Sequence, residues 1–200
     1  EIAHYANKIG LRYLTAYVFS TENWKRPKDE IDSIIALLRN YLDEMENYRK
    51  ENIRVLFIGD RTVFDDDIQA KMRRAEEQSR NATGLTLILA INYGGRAEIA
   101  QAARRIAEDA AAGKLSPGAV DEAVFSRYLY TAGIPDVDLL VRPSGEYRLS
   151  NFLLWQTAYS EYVFMSGVLW PDFKPAMLDE ALAEYRSRSR RFGGLSDADS

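Results

Sequence analysis

The chain contains no cysteine and only one histidine, His4. Without cysteine it has no disulfides and no thiolate metal sites, which fits a reducing compartment such as the cytoplasm. A single histidine excludes a multi-histidine metal site, and a serine–histidine triad would depend on this one residue near the chain start. We therefore look for chemistry that needs neither a thiol nor an imidazole.

The sequence also lacks long hydrophobic runs and an excess of positive charge. No stretch of about 18 apolar residues is present, so no segment predicts a membrane-spanning helix. The net charge of −4 argues against a general polyanion binder, and therefore against nucleic acid as a partner. Any affinity for phosphate must come from local clusters of arginine.

Apolar runs typical of buried strands alternate with amphipathic helical patterns along the chain. This alternation predicts an α/β fold with a mostly parallel central sheet flanked by helices. With 200 residues and 46% apolar content, one globular domain is expected. We predict strands at residues 11–19, 53–58, 85–91, 137–141 and 161–165, and helices at residues 2–8, 29–50, 65–80, 121–130, 151–158 and 175–190, with an alanine-rich helix after Gly95 that ends at Ala112.

The stretch from Val141 to Phe152 is the richest in anion-binding groups. Arg142 and Arg148 can bind phosphate through their guanidinium forks, and serine hydroxyls and amides exposed by glycine supply further donors. A carboxylate further on, Glu161, can hold the Mg²⁺ that accompanies a diphosphate. The other interpretation is a polar surface loop with an Arg–Glu ion pair, and the residues alone leave both open.

A second polar segment, residues 20–27, directly follows the predicted strand 11–19. Ligands of open α/β sheets bind beyond the carboxyl ends of strands, which makes this segment a second candidate site. If Arg26 and Arg142 lie at adjacent strand ends, they can bind two phosphate groups side by side, which suggests a diphosphate substrate. The apolar stripe from Ile31 to Met45 is either core or the wall of a ligand tunnel.

Three ordered motifs resemble the cis-prenyltransferase family, the bacterial undecaprenyl diphosphate synthases. They are residues 19–27, the block from Arg142 to Gln156 with Glu161, and Arg190–Gly194, and the resemblance extends from Glu1 to about Gly194. It implies an undecaprenyl diphosphate synthase-like fold with a hydrophobic tunnel. It also implies a homodimer that adds isopentenyl diphosphate repeatedly to farnesyl diphosphate, with cis stereochemistry and Mg²⁺, to make a polyprenyl diphosphate lipid carrier.

The resemblance also implies roles for individual residues. Asn23 corresponds to the residue that helps remove a proton, and Glu161 to the metal ligand. The Arg190–Gly194 tail corresponds to a segment that reaches the neighbouring subunit's diphosphate site. A cytoplasmic location follows, with contact to the membrane that receives the product left open. The implied substrate-binding residues are Ser20, Thr21, Glu22, Trp24, Arg26, Arg142, Arg148, Leu149 and Ser150.

Two departures from the family pattern affect these expectations. The run Asp-Gly-Asn-Gly-Arg-Trp-Ala, which carries the family's catalytic aspartate, does not occur in the chain. Either it lies upstream of Glu1, so that residues 1–200 form a single catalytic domain lacking its N-terminal strand, or the chain is a non-catalytic partner subunit that binds isopentenyl diphosphate. We expect the former because the chain begins within a helical pattern. Pro143 replaces the usual threonine and removes one backbone donor, with a small expected effect.

Overall fold

The computed structural model describes residues 1–188, apart from the side chains of Glu46 and Asn47. The chain divides into two compact units. We call them the N-terminal unit, Ile2–Gly133, and the C-terminal unit, which runs from Ile134 and includes Glu1. Each unit contains parallel strands accompanied by helices, so the predicted α/β class is confirmed.

The N-terminal unit contains a three-stranded sheet and most of the helices. Short 3-10 helices cover Thr21–Lys25, Arg61–Val63 and Pro117–Ala119. The strands are β1 (Tyr13–Ser20), β2 (Arg54–Ile58) and β3 (Thr86–Tyr93), and the helices are α1 (Ile2–Lys8), α2 (Lys28–Asp43), α3 (Glu46–Lys50), α4 (Asp66–Ser79), α5 (Gly95–Ala111) and α6 (Glu122–Ser126).

Strand β3 lies between β1 and β2, and both pairings are parallel. Thr86 is the register partner of Tyr13 on one side and of Arg54 on the other. All eight residues of β3 are buried, as expected for a strand covered on both faces. The prediction of a central strand here is confirmed.

Strand β1 is less buried than the sequence suggested. Its apolar run predicted a buried strand, but Phe19 is the only residue of β1 that is fully buried. The reason lies in the strand order, because β1 takes an outer position and pairs with β3 alone in this sheet.

Helix α1 ends at Lys8, and Gly10 caps it. The Leu11 N–H donates to the Ala6 carbonyl at 3.0 Å, and the Gly10 N–H donates to the Asn7 carbonyl at 3.1 Å. These two bonds form a Schellman motif, which needs a left-handed residue, and Gly10 has φ +81°.

The predicted helix 29–50 is divided in two. Its last turn tightens into 3-10-type bonds, in which Glu44 N donates to the Tyr41 carbonyl and Met45 N to the Leu42 carbonyl. The chain then restarts as α3, and Met45 becomes buried. Asp29 lies in the first turn of α2 rather than at its cap, because the helix begins directly after Pro27.

The C-terminal unit contains β4 (Leu139–Arg142), β5 (Glu161–Phe164), a 3-10 helix at Trp170–Asp172 and α7 (Pro175–Ser187). β4 and β5 pair in parallel, with Leu139 opposite Glu161. Both strands were predicted, with boundaries shifted by one or two residues. Within residues 1–188, no helix combines the length and apolar content that crossing a membrane requires.

The predicted helix 151–158 is wrong, because these residues form a series of turns. Asn151 and Leu153 have φ values of +64° and +46°, which lie in the left-handed region and cannot continue an α-helix. Leu153, Gln156 and Thr157 are buried at a spacing that resembles one face of a helix, and this spacing explains the wrong prediction. Tyr159, next to this segment, is 75% exposed.

A fully buried carboxylate fixes the end of β3. Glu98, in the first turn of α5, is 0% exposed. Its Oε2 accepts a hydrogen bond from the Tyr93 hydroxyl at 2.6 Å, and its Oε1 accepts one from the Tyr130 N–H at 2.8 Å. Glu98 therefore connects the last residue of β3 to the segment that follows α6.

We expect Glu98→Gln to lower the free energy of unfolding by about 2 kcal/mol, because the new amide N–H₂ faces a buried donor. Urea denaturation monitored by circular dichroism measures this change. Glu77→Gln is the matched control, since Glu77 is 71% exposed and pairs only at the surface with Arg80. Equal stability of the two variants would contradict the role assigned to Glu98.

Candidate active site

The polar segment after β1 forms a short 3-10 helix whose start is fixed by Asn23. The Asn23 Oδ1 accepts a hydrogen bond from the Ser20 N–H at 2.8 Å. Thr21 donates through its hydroxyl to Glu22 at 3.2 Å, and Glu22 is exposed. Burial, and next the Glu22 charge, raise the pKa of Tyr17 to about 12, so that phenol stays neutral. The segment is therefore ordered by its own polar side chains.

Trp24 is anchored at the end of this sheet. Its indole N–H donates to the Asn92 Oδ1 at 2.8 Å, and its ring meets Phe19 edge-on at a centroid distance of 5.1 Å. The side chain is nevertheless 39% exposed. Trp24 thus presents part of an apolar ring at the carboxyl edge of the strands, where ligands of α/β sheets bind.

Arg26 has only a surface partner among the described contacts. Its guanidinium pairs with Glu30 one turn later, at 2.6 Å, and both side chains are 47% exposed. Surface pairs of this kind contribute little, so an incoming phosphate can replace Glu30 at small cost. Arg26 belongs to the N-terminal unit, whereas Arg142 and Arg148 belong to the C-terminal unit. That they bind phosphate groups side by side therefore stays a prediction.

The loop after β4 is held by its backbone. Ser144 N–H donates to the Val168 carbonyl at 2.6 Å, and Gly145 N–H donates to the Met165 carbonyl at 2.8 Å. The expectation that amides exposed by glycine supply donors to phosphate is therefore wrong for these two, since both already have protein partners. These two amides are therefore not available to a phosphate while their backbone bonds are kept.

The side chains of this loop converge on the end of β4. The Arg142 guanidinium donates to the Arg148 carbonyl at 2.7 Å and to the Ser150 hydroxyl at 2.9 Å. Glu146 accepts hydrogen bonds from both guanidinium groups. Leu149 is half-buried between Arg148 and Ser150. The structure therefore brings the predicted phosphate ligands together around one carboxylate.

The charge of Glu146 is stabilised by this arrangement. The hydrogen bond from Arg142, followed by the charges of Arg148 and Arg142, holds the pKa of Glu146 below its ordinary value. The Arg–Glu pair that the sequence analysis treated as the alternative to a phosphate cradle is present. The two interpretations are compatible, because an arginine fork that binds a carboxylate also fits a phosphate.

Glu161 begins β5 and pairs with an arginine of the last helix region. Its Oε2 lies 2.9 Å from the Arg188 guanidinium, which also donates to the Tyr162 carbonyl and to Glu184. Within the part of the chain that the structure describes, no three carboxylates or histidines cluster as a metal site. The Arg190–Gly194 tail lies outside the described residues.

Sequence analysis missed the roles of Asn92, Glu146 and Arg188. Asn92 carried a signal, since it is a polar residue at the end of the most continuous apolar strand. Glu146 lay inside the arginine motif but was considered only as a surface partner. Arg188 could not be paired with Glu161 from sequence, because 27 residues separate them.

Comparison with known proteins gives a consistent family. The family model described as "Putative undecaprenyl diphosphate synthase" matches residues 1–193. The isoprenyl transferase of Clostridium perfringens (strain 13 / Type A) is 46% identical over 190 residues, which are 94% of this chain and 75% of that protein. The ditrans,polycis-undecaprenyl-diphosphate synthase ((2E,6E)-farnesyl-diphosphate specific) of Pasteurella multocida is 46% identical over 98% of this chain and 82% of its own length.

Solved structures agree. Lavandulyl diphosphate synthase from Lavandula x intermedia, in complex with dimethylallyl diphosphate, has a TM-score of 0.90 and 38% identity, covering 94% of this chain and 82% of that one. A probable undecaprenyl diphosphate synthase from Campylobacter jejuni has a TM-score of 0.84 and 38% identity, covering 96% and 88%. The fold is thus that of an α/β protein similar to these two diphosphate synthases. The chain belongs to the undecaprenyl diphosphate synthase family of cis-prenyltransferases.

We expect Arg142→Met to raise the pKa of Glu146 towards its ordinary value, because the largest cause of the lowering is removed. A carboxyl group whose pKa is lowered in the folded state stabilises the fold at pH values above its ordinary pKa. This stabilisation is lost as the pH falls through the pKa of the folded state. A ¹³C NMR titration of the glutamate carboxyls measures the shift. Lys174→Met is the control, because it removes the ion-pair partner of Glu1 and should leave the pKa of Glu146 unchanged. An unshifted Glu146 in Arg142→Met would contradict the contact.

Proposed function

We propose that the protein condenses isopentenyl diphosphate repeatedly onto an allylic diphosphate, farnesyl diphosphate, with cis stereochemistry, and so makes a polyprenyl diphosphate lipid carrier. The observation that carries the proposal is the convergence of Arg142, Arg148 and Ser150 at the end of β4, in a chain of this family. The Pasteurella multocida relative is named as farnesyl-diphosphate specific, which supports the choice of primer.

The arginine cluster suits the diphosphate of the condensing unit. Glu146 offers two oxygens to two guanidinium groups, and a phosphate offers three with more charge. We propose that the diphosphate replaces Glu146 in these forks. The hydrogen bond from Arg142 to the Arg148 carbonyl does not involve Glu146. It therefore keeps the Arg142 guanidinium oriented while the diphosphate replaces Glu146.

Glu161 is the proposed ligand of Mg²⁺. Magnesium in such enzymes is usually bound by one or two carboxylates together with substrate phosphates, so a lone glutamate fits this mode. When bound, the ion neutralises charge on the diphosphate groups. Arg188 forms an ion pair with Glu161. We propose that this ion pair breaks when the metal ion and the diphosphate bind, so that the Glu161 carboxylate can coordinate the metal ion.

The segment after β1 is the proposed allylic site, with Ser20, Thr21 and Glu22 as contacts and Arg26 as a phosphate ligand. An amide is too weak a base to take the proton from the condensing unit, so Asn23 orients the reacting groups rather than acting as the base. Its own orientation is fixed by the Ser20 N–H.

We propose that the growing hydrocarbon runs along α2. Ile31, Ile34 and Ile35 on this helix are only half-buried, which supports the path. A cavity of about 280 Å³ beside the helix end is lined by Asp43, Lys71, Arg74 and Gln78 as well as by Leu42, Met45 and Ala75, so it does not mark a hydrocarbon path by itself. Each methylene buried along such a path gains about 0.8 kcal/mol, enough to retain a long product during repeated additions. Strand β3 supplies further apolar residues to the same unit.

Assembly and location complete the proposal. We propose a cytoplasmic homodimer in which the Arg190–Gly194 tail approaches the partner's diphosphate site, with peripheral membrane contact during product release. The resemblance of the motifs supports the dimer, and the absence of cysteine is compatible with the cytoplasm.

Incubation of the complete protein with farnesyl diphosphate, labelled isopentenyl diphosphate and Mg²⁺ tests the activity. We expect labelled polyprenyl diphosphates, sized by thin-layer chromatography, and complete loss of product when EDTA removes the metal. Binding of isopentenyl diphosphate without any turnover would instead identify a non-catalytic partner subunit.

We expect Arg148→Ala to raise the Michaelis constant for isopentenyl diphosphate about tenfold to hundredfold, because a charge-assisted hydrogen bond to the diphosphate is lost. Steady-state kinetics with farnesyl diphosphate at saturation measures it. Arg80→Ala serves as the control, since Arg80 is exposed and pairs with Glu77 at the end of α4. A Michaelis constant equal to that of Arg80→Ala would show that Arg148 does not bind isopentenyl diphosphate.

A further inference from the structure

All three strand ends of the N-terminal unit meet at Trp24. Phe19, near the end of β1, meets the indole edge-on, and Phe64, which follows β2, lies at a centroid distance of 6.0 Å. Asn92, near the end of β3, accepts the indole N–H at 2.8 Å. Two apolar rings thus limit where the indole lies, and one hydrogen bond fixes how it is rotated.

Asn92 is itself rigidly held. It is 6% exposed and has φ +47°, a left-handed conformation that asparagine tolerates better than most residues. Its Nδ2 donates to the Asp60 carbonyl at 2.9 Å, and its own carbonyl accepts from the Asp60 N–H at 3.3 Å. Because the Asp60 carbonyl can only accept, the amide nitrogen of Asn92 must face it, and Oδ1 must face Trp24.

Gly59 makes this arrangement possible. It has φ +115°, and a Cβ at this position would lie 2.0 Å from the Ile91 carbonyl oxygen. The end of β2 therefore approaches β3 closely enough for Asp60 to bond both the side chain and the backbone of Asn92. The Asn92 Oδ1 that accepts the indole N–H is therefore held in place by a hydrogen bond of the Asn92 amide to the backbone of Asp60.

We infer that Asn92 is a positioning residue for the allylic diphosphate, acting through Trp24. The inference rests on the proposed function, which assigns the allylic site to the segment after β1 that contains Trp24. Trp24 is 39% exposed while its N–H is bonded to a buried amide, so its open ring surface is held at one orientation. A flat apolar surface held in this way contacts the hydrocarbon next to the diphosphate, and loss of its orientation weakens binding of the allylic substrate.

The first test compares two left-handed asparagines. Asn92→Gly keeps the backbone conformation and removes the side chain, and we expect a Michaelis constant for farnesyl diphosphate raised about fivefold to tenfold. The constant for isopentenyl diphosphate should stay within about twofold. Asn52→Gly is the matched control, because Asn52 has φ +59° and also bridges loops, through Thr83, but precedes β2 at the opposite end of the sheet. An unchanged allylic constant in folded Asn92→Gly overturns the inference.

The second test asks whether Asn92 acts through Trp24. In a double-mutant cycle, Asn92→Gly should add at most about twofold to the allylic constant of Trp24→Phe, because the bonded N–H is already gone. If Asn92→Gly raised the allylic Michaelis constant as much in the Trp24→Phe background as in the wild-type protein, Asn92 would not act through Trp24. That result would overturn the inference.

A third measurement needs no variant at position 92. In the ¹H–¹⁵N spectrum of the wild-type protein, the Trp24 indole peak, identified by its loss in Trp24→Phe, should exchange with solvent at least about tenfold more slowly than that of Trp170, which is 58% exposed. Equal exchange rates overturn the inference even if Asn92→Gly does not fold. A wild-type protein without prenyl transfer would overturn the proposed function, and the exchange rates would still decide whether Asn92 holds Trp24.

Discussion

Parallel pairing on both sides of β3 determines where the candidate residues of the N-terminal unit lie. Since β1, β2 and β3 run in one direction, their carboxyl ends reach the same edge, and the residues that follow them are brought together. Ser20 ends β1 and Trp24 follows it, Asp60 follows β2, and Asn92 lies near the end of β3. Glu98 then fixes the point where β3 passes into α5. The polar side chains at this edge depend on the buried strand that aligns their backbones.

The C-terminal unit meets a different constraint, that of holding several positive charges close together. Arg142 and Arg148 share Glu146, and Arg188 shares Glu161 and Glu184. Each candidate ligand therefore has an internal partner of opposite charge. Such pairs keep the side chains in defined orientations while they are only partly exposed. The same pairs that appear structural are compatible with a binding role.

Sequence reasoning succeeded where local patterns decide the structure and failed where tertiary contacts do. The eight buried residues of β3 and the glycine cap at Gly10 follow from apolar runs and from left-handed geometry, which are local. The false helix at 151–158 shows the limit, because burial of Leu153 imitated helical spacing while φ +64° at Asn151 prevented a helix. The convergence of Arg142, Arg148 and Ser150 was predictable from a short motif. The contact of Asn92 with Trp24 was not, since it joins residues 68 apart.

The strand order β1-β3-β2 also has a consequence for synthesis on the ribosome. β1 and β2 both emerge before β3, so neither has its neighbour in this sheet until Tyr93 has left the exit tunnel. At about 5 to 20 residues per second, roughly 4 to 15 s pass between the emergence of Ser20 and that of Tyr93. During that interval the hydrogen-bonding edge of β1 and the apolar residues of β2 are open to other nascent chains. Transient protection by a chaperone is therefore of most value before the central strand is complete.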